Sequence, residues 1–422
     1  MLQVDPLSEE TEDSSRSLPK HSLSRFSLVM ILGALSVVSP FSIDMYLPAF
    51  DGLARELNTS VARVGLSVSS YFVGLAFGQI FYGPLLDRFG RKRPLAAGLS
   101  LYLLSTLGCI LSNNIETLIV CRFFQALGGC AAAVASTAMV RDFFPARESA
   151  KIFALLVLII GVSPLLAPTV GSLVIVTLGW KAVFALLGVL VAVTLAVVTM
   201  HLPEGHTPDP TIELRPGPIV RSFYRILCQP TFLVYSVSGA LSFAGLFAYV
   251  AGSPAIFMGL YHVDAKVYGL IFAGLSVGFI GGSQVNLWLL KSFSGARIFA
   301  TALLVQTVVG LIFVVLVWKV ALGLVPMLGF LFVFLSCIGL ASPNATALSL
   351  APFSKNVGSA AALLGFLQMG IGALASALVG VLALPGPLAT TVALSGSAVL
   401  GGSFYLLKRT RLEADASKRV AA

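Results

Sequence analysis

Charged residues are scarce in this sequence. Of its 422 residues only 11% are Asp, Glu, Lys or Arg, whereas 57% are hydrophobic. Soluble globular domains carry about 25% charged residues, so this composition excludes an ordinary water-soluble domain. Cysteine is rare as well. The five cysteines are odd in number and show no metal-ligand spacing, so we interpret them as small packing residues.

The sequence also lacks the motifs of energy-consuming enzymes. It contains no Gly-rich phosphate loop followed by Lys and Ser or Thr, which disfavours a pump driven by ATP. Its four histidines lie outside the centres of the apolar runs and lack zinc-protease spacing. We therefore expect no enzymatic activity, no metal and no cofactor, and an ion gradient as the energy source.

Long apolar runs dominate the chain instead. A helix needs about 20 apolar residues to cross the hydrocarbon core of a bilayer, and most of the runs reach this length. We predict twelve spans, near residues 25–48, 63–86, 93–112, 117–141, 150–174, 181–202, 231–257, 267–290, 297–317, 322–342, 356–384 and 388–407. The predicted fold class is an all-α membrane protein with 12 transmembrane helices.

The basic residues are distributed unevenly between the two sides of these spans. The net charge is +9, and 21 of the 27 lysines and arginines fall at the termini or in loops after even-numbered spans. Because positively charged loops stay in the cytoplasm, we expect both termini to be cytoplasmic. The distribution of basic residues indicates how the chain is oriented in the membrane. We therefore expect no nucleic-acid partner.

A polar, proline-rich segment separates the sixth and seventh spans. It divides the chain into an N-terminal tail (1–24), a six-helix bundle (25–202), a linker (203–230), a second six-helix bundle (231–407) and a C-terminal tail (408–422). Transporters built from two such bundles hold their substrate between them near the bilayer midplane. We therefore expect a site between the halves, disordered tails and a monomer.

A short charged loop follows the second predicted span. It reads Gly83-Pro84-Leu85-Leu86-Asp87-Arg88-Phe89-Gly90-Arg91-Lys92-Arg93-Pro94. The Asp87 carboxylate can bind a helix N-terminus or an arginine of a neighbouring helix, and Arg141 at the end of span four is the nearest candidate. We assign this contact a gating role on the cytoplasmic side. The alternative is a loop that only sets topology.

Asp44 is the one acidic residue that the sequence places well inside a predicted span. A carboxylate in the membrane costs roughly 3 kcal/mol or more unless it is paired or protonated. Removal from water favours the protonated form of a carboxyl group, whose proton can then be exchanged for a ligand. Asp44 is therefore the leading candidate for proton coupling. Alternatively, it ends the first helix before Pro48, where water reaches it.

Arg122 lies inside span four, in the outer portion of the helix. A buried guanidinium requires a partner, and Asp44 is the available buried acid in this half. We predict a direct or ligand-mediated pairing of the two. Gln125, one turn further along, shares the face of Arg122. The alternative is that Arg122 extends to the outer interface.

Two prolines, Pro164 and Pro168, lie four residues apart in the fifth span, followed by Gly171. Proline removes a backbone donor and bends a helix, so we expect a kink or hinge there.

Polar and aromatic residues in the middle of central spans are candidates for substrate contacts. Aromatic walls with few polar anchors suit varied amphiphilic ligands. The candidates are Tyr46, Tyr71, Gln79, Gln125, Tyr235, Phe243, Asn344 and Gln368. Each of them alone also fits a packing role.

These motifs resemble those of the major facilitator superfamily. The loop after span two fills every fixed position of the family signature: glycine, three residues, aspartate, arginine, one residue, glycine, arginine and a basic residue. Arg122 and Gln125 are similar to the superfamily motif linked to proton transfer, although Ala126 replaces its usual glycine.

Motifs in the fifth and first spans resemble those of one branch of the superfamily. Gly161 to Ser172 resembles the motif of exporters, with Ala167-Pro168 in place of glycine and proline. Ser42 to Ala49 and the pair Arg141-Asp142 resemble the Bcr/CflA drug-resistance branch. The resemblance implies two six-helix bundles of the major facilitator fold, with gating by Gly83, Asp87, Arg88, Gly90, Arg91, Arg141, Pro164, Pro168 and Gly171.

The resemblance also implies a function. Members of this branch are proton-driven antiporters of the bacterial inner membrane, with bicyclomycin, sulfonamides and phenicols as associated substrates. Asp44 would exchange protons, and Arg122 would assist their release. The alternatives are an uptake system for a small metabolite, an intramembrane enzyme, and a sensor or scaffold. An uptake system needs polar groups at the midplane, and an intramembrane enzyme needs paired catalytic groups. The sequence offers few of either.

Overall fold

The computed structural model of the protein describes residues 24–205, 208–209, 216–320, 322–353, 357–382, 384 and 386–420. Apart from Ser24, the predicted N-terminal tail lies outside these residues, as does part of the linker. The described chain is helical and contains 12 helices that are long and apolar enough to cross a membrane. The predicted fold class is therefore confirmed.

Seven helices build the first half of the molecule. They are α1 (Arg25–Asp44), α2 (Phe50–Glu56), α3 (Val61–Phe89), α4 (Lys92–Leu111), α5 (Ile115–Phe143), α6 (Ala146–Leu178) and α7 (Trp180–His201). A short 3₁₀ turn, Leu47–Ala49, connects α1 to α2, and the three elements together form the first apolar span, Arg25–Glu56.

The second half follows a linker helix, α8 (Pro216–Leu227). Its spans are α9 (Pro230–Pro254), α10 (Ala265–Leu289), α11 (Gly295–Lys319), α12 (Leu324–Leu350), α13 (Val357–Val381) and α14 (Leu388–Val420). A turn of π-helix, Ala255–Leu260, extends α9.

Polar side chains mark the starts of several spans. Each accepts a hydrogen bond from a backbone N–H three residues later, which satisfies one of the free donors at a helix N-terminus. These caps are Ser24, Ser60, Asn114, Asp264 and Ser294.

Ion pairs between helix ends define the two sides of the bundle. Arg25, at the start of α1, lies 3.4 Å from Glu148 at the start of α6. Arg63, at the start of α3, lies 2.6 Å from Glu116 at the start of α5. Spans one and five therefore run in one direction, and spans two and four in the other. We call the side with Arg25 the termini side and the side with Arg63 the opposite side.

The two halves pack together on the opposite side. Helices α3 and α13, and helices α6 and α10, form the main contact between them. Ser69 and Ser376 share a 2.7 Å hydrogen bond between α3 and α13. Further towards the start of α3, a Cβ atom on Gly380 would lie 2.9 Å from the carbonyl oxygen of Ala62. The interface between the halves is therefore closed at this end.

Two segments outside the predicted spans are helical. Helix α14 continues to Val420, whereas a disordered tail was expected after residue 407. Eight of the twelve residues 409–420 are Arg, Lys, Ala, Leu or Glu, which favour helix, so the helix extends beyond the apolar span. Within the predicted linker, α8 forms because Pro216 and Pro218 fall in its first turn, where proline is tolerated.

Candidate functional site

Asp44 lies at the junction between the two halves. It is the last residue of α1 and is only 7% exposed. The 3₁₀ turn that follows it packs against α9 and α10 of the second half. Met45, the residue after Asp44, belongs to the same buried cluster as Tyr249 of α9 and Tyr268 of α10. No hydrogen bond or ion pair joins its carboxylate to another described residue.

Arg122 is fully buried inside the first half. Its Nη1 atom donates to Gln125 Oε1 at 2.7 Å, and its Nη2 atom donates to the backbone oxygen of Ser42 at 2.9 Å. Three aromatic rings have their centroids 4.2, 4.9 and 5.7 Å from its Cζ atom: Tyr71, Tyr46 and Phe184. Ring faces and the carbonyl oxygen carry partial negative charge, which offsets part of the cost of burying the cation.

Further hydrogen bonds hold these residues in place. Gln125 Nε2 donates to Thr106 Oγ1 at 2.7 Å, and the hydroxyl groups of Ser42 and Tyr102 lie 2.6 Å apart. The hydroxyl of Tyr46 bonds to that of Ser67. We call Arg122 and the side chains around it the buried arginine cluster. Sequence reasoning missed Thr106, Tyr102 and Phe184, because nothing distinguishes them from packing residues.

The predicted direct pairing of Asp44 with Arg122 is not formed. Arg122 instead bonds to the backbone of Ser42, two residues before Asp44. Two residues correspond to about 200° of rotation around an α-helix, so the side chains of Ser42 and Asp44 leave α1 in nearly opposite directions. Asp44 therefore lies towards the second half, while Arg122 stays in the core of the first.

Three predicted substrate-contact residues lie near the middle of the interface between the halves. The Gln79 side chain on α3 lies 3.1 Å from the position of a Cβ atom on Gly365 of α13. Phe243 packs edge-on against Phe247, whose ring in turn contacts α3. Gln368 lies on α13 close to Gly365 and is partly exposed. These three residues remain available to a ligand between the halves.

The other predicted contacts are enclosed within a half. The ring centroid of Tyr235 lies 5.5 Å from that of Phe299, in a cluster of second-half residues. Asn344 Nδ2 donates to Asn286 Oδ1 at 2.6 Å, also within the second half. Both side chains pack inside one bundle in this structure, and their contact with a ligand stays a prediction. Tyr46, Tyr71 and Gln125 belong to the buried arginine cluster.

Four charged residues meet on the termini side. Arg91 Nη1 donates to Asp87 Oδ1 at 2.6 Å, and Arg91 Nε donates to Asp142 Oδ2 at 2.7 Å. Burial alone would lower the pKa of Arg91, but its bonds to the two carboxylates outweigh burial and raise that pKa above its ordinary value. Glu204, from the linker, accepts hydrogen bonds from the backbone N–H groups of Arg91 and Lys92 at 2.5 and 3.3 Å.

We call Asp87, Arg91, Asp142 and Glu204 the termini-side charge cluster. It joins α3, α4, α5 and the start of the linker, with Glu204 at the positive N-terminus of α4. Gly90 has a φ of +82°, which favours glycine, and a Cβ atom there would lie 3.0 Å from the Glu204 carboxyl carbon. The sequence offered no sign that Glu204 takes part.

Arg141 is not the partner of Asp87. Its guanidinium lies 6.0 Å from the ring centroid of Phe153, on another face of α5. Asp142, the next residue, is rotated by about 100° and therefore faces Arg91. Arg88 lies beside Phe89, 5.7 Å from its ring centroid. A Cβ atom on Gly83 would meet nothing within 4 Å, so close packing does not require that glycine in this conformation.

Helix α6 passes without interruption through Pro164 and Pro168. Next to Pro168, the Cα atom of Thr169 lies 3.3 Å from the position of a Cβ atom on Gly269 of α10. Gly171 packs so closely on the backbone carbonyl of Met45 that any Cβ atom would overlap it. The proline segment therefore contacts both the second half and the residue that follows Asp44. The expected kink stays a prediction.

Comparisons with known proteins agree with this architecture. The model of the Major Facilitator Superfamily matches residues 32–412. The uncharacterized MFS-type transporter YdgK of Bacillus subtilis is 31% identical over 85% of this chain and 89% of its own. A bicyclomycin resistance protein homolog of Haemophilus influenzae is 31% identical over 84% of this chain and 89% of its own.

A solved structure shares the fold. The crystal structure of a D-xylose-proton symporter superposes with a TM-score of 0.70 at 17% identity, covering 90% of this chain and 97% of its own. At that identity the likeness describes the fold alone.

Proposed function

This chain belongs to the Major Facilitator Superfamily, and we propose that it is a proton-coupled antiporter that exports antibiotics or other small xenobiotics. It is a multi-pass membrane protein. The proposal places it in the bacterial inner membrane as a monomer, with both termini cytoplasmic and the proton gradient as its energy source. The name of the Haemophilus influenzae relative, at 31% identity, supports drug export over metabolite uptake.

The observation that carries the proposal is the position of Asp44. It is a buried carboxylate without a cation, and it lies where the first half meets α9 and α10. A charge in such a place is costly, and protonation removes that cost. When the halves separate on the opposite side, Asp44 leaves the second-half tyrosines and gains water. Closure therefore favours the protonated carboxyl group and opening favours the ionised one.

This difference couples proton movement to the alternation of the halves. With the opposite side closed, a drug enters from the cytoplasm between the halves and contacts residues such as Gln79, Phe243 and Gln368. Opening of the opposite side releases the drug, and Asp44 then takes up a proton from outside. Closure carries that proton into the buried position, and the next drug molecule that enters from the cytoplasm displaces it, so that the proton leaves to the cytoplasm. Arg122 supplies a constant positive potential that assists this release.

Accumulation of radiolabelled antibiotics in cells tests the proposal. Cells that express the wild type, Asp44→Asn or Asp51→Asn are compared with and without a protonophore. Asp51 is a matched control, because the same change is made on α2, seven residues away, at a partly exposed carboxylate. We expect low accumulation with the wild type and Asp51→Asn, and no export with Asp44→Asn or with the protonophore.

Each other outcome contradicts part of the proposal. Export that survives Asp44→Asn would remove that residue from proton coupling. Accumulation above that of cells without the protein would indicate uptake. Accumulation unchanged across the panel would argue against drug export altogether, and drug binding retained without transport would favour a sensor.

A further inference from the structure

Helix α8 is held against the second half by one of its faces. Ile226 is 3% exposed and packs with Phe232 of α9 and with the first turns of α13. Phe223 and Leu227 cover the same cluster. The segment between Leu227 and the start of α9 at Pro230 is two residues long. Helix α8 therefore lies against the termini-side ends of the spans and cannot move far from the membrane surface.

The other face of α8 is exposed and carries two rows of side chains. Val220 and Tyr224 are 63% and 67% exposed and lie four residues apart, so they stack along the helix. Arg221 and Arg225 form a second exposed row beside the first. Apolar and aromatic residues next to basic ones are typical of a helix that lies in a membrane interface.

Neither arginine of this face has a partner among the described residues. No ion pair or hydrogen bond joins the guanidinium of Arg221 or Arg225 to a described side chain or carbonyl. The helix contains no acidic residue. Like charges four residues apart repel each other on a helix, so an anion from outside the protein would stabilise this face.

We propose that the exposed face of α8 binds the headgroups of anionic phospholipids in the leaflet on the termini side. Arg221 and Arg225 contact the lipid phosphates, and Tyr224 and Val220 enter the interface between headgroups and acyl chains. A phosphate ion in solution would satisfy the arginines but would leave the adjacent apolar row in water. This inference is independent of the transported substrate and of proton coupling.

A fluorophore on the exposed thiol of Cys228, one residue after α8, provides a local probe in the full-length protein. The protein is reconstituted into phosphatidylcholine nanodiscs with increasing brominated phosphatidylglycerol or brominated phosphatidylcholine as quencher. We expect half-maximal quenching at a much lower fraction of brominated phosphatidylglycerol than of brominated phosphatidylcholine. Each arginine near an anionic surface contributes about fivefold, so Arg221→Gln with Arg225→Gln should reduce the preference by up to roughly 30-fold.

The matched control is the pair Lys291→Gln and Arg297→Gln. It removes the same charge from exposed residues around the loop after α10, on the same side of the membrane. Quenching in the control should remain close to that of the wild type. Equal quenching by both lipids in the wild type would overturn the proposal. An equal loss of preference in both double variants would also overturn it, because the effect would then be one of net charge.

Discussion

The hydrogen bond between Ser69 and Ser376 connects the two halves on the opposite side, at 2.7 Å. The substitution Ser376→Ala removes it without leaving a buried donor unpaired, because the Ser69 hydroxyl also bonds to the backbone oxygen of Gly65. Interhelical hydrogen bonds in membrane proteins contribute about 0.6 kcal/mol on average. In the proposed mechanism, the protein alternates between a state in which the opposite side is closed and one in which it is open. Losing this bond should therefore raise the ratio of open to closed molecules about threefold.

Distances between spin labels measure this shift. Asn58, two residues after α2, and Gly259, in the π-helical turn after α9, are exposed on the opposite side, and α2 contacts that turn. Labels at Asn58→Cys and Gly259→Cys, with Cys228→Ser to remove the exposed native thiol, should show a short-distance and a long-distance population. Ser376→Ala should raise the ratio of the long-distance population to the short-distance population about threefold.

A hydrogen bond of the same kind within the first half supplies the control. Ser36 and Ser136 lie 2.8 Å apart, and the Ser36 hydroxyl also bonds to the backbone oxygen of Leu32. Ser136→Ala therefore removes a similar bond from a similar environment, but this bond does not cross between the halves. It should leave the distance distribution unchanged. The reasoning fails if both variants shift the distribution equally, or if Ser376→Ala does not shift it.

Further predictions concern the two sides of the bundle. Asp142→Asn weakens the bonds that anchor the largely buried Arg91 and should lower the free energy of unfolding by about 1–3 kcal/mol in denaturant titrations. Glu204→Gln removes a charge at the N-terminus of α4 and should cost less, about 0.3–1 kcal/mol; the reverse order would contradict the assigned roles. Gly380→Leu should raise the long-distance population of the spin labels, because its side chain meets the Ala62 backbone, whereas Gly83→Leu has room and should not.

Hydropathy sufficed to predict the spans because the length of an apolar run is a local property of the chain. The predicted bounds 63–86 and the observed helix Val61–Phe89 differ by two or three residues at each end. The charged loop after that span was also predictable, since its residues are adjacent in sequence. The partners that Arg91 gains from α5 and from the linker were not, because they depend on how three segments converge.

The predicted direct pairing of Asp44 with Arg122 was wrong for a related reason, whereas a ligand-mediated pairing stays a prediction. Burial of both residues was inferred correctly, and electrostatics favours bringing opposite charges together. The rotational position of each side chain on its helix decides whether they can meet, and the apolar composition of α1 gives no clear amphipathic face from which to infer it. The face of α8 was a missed signal, since Arg221 and Arg225 recur with a helical spacing that the neighbouring prolines obscured.

In the proposed mechanism, the separation of Asp44 from Arg122 gives the two residues different parts. All the partners of Arg122 come from the first half, so its surroundings move as one body when the halves rock. The turn that follows Asp44 packs against α9 and α10 across the junction, so the surroundings of Asp44 change in the same motion. Only a group whose surroundings change can exchange protons differently in the two states. In the proposed mechanism, Asp44 is therefore the residue that responds to the conformational cycle, and Arg122 provides a field that stays constant through it.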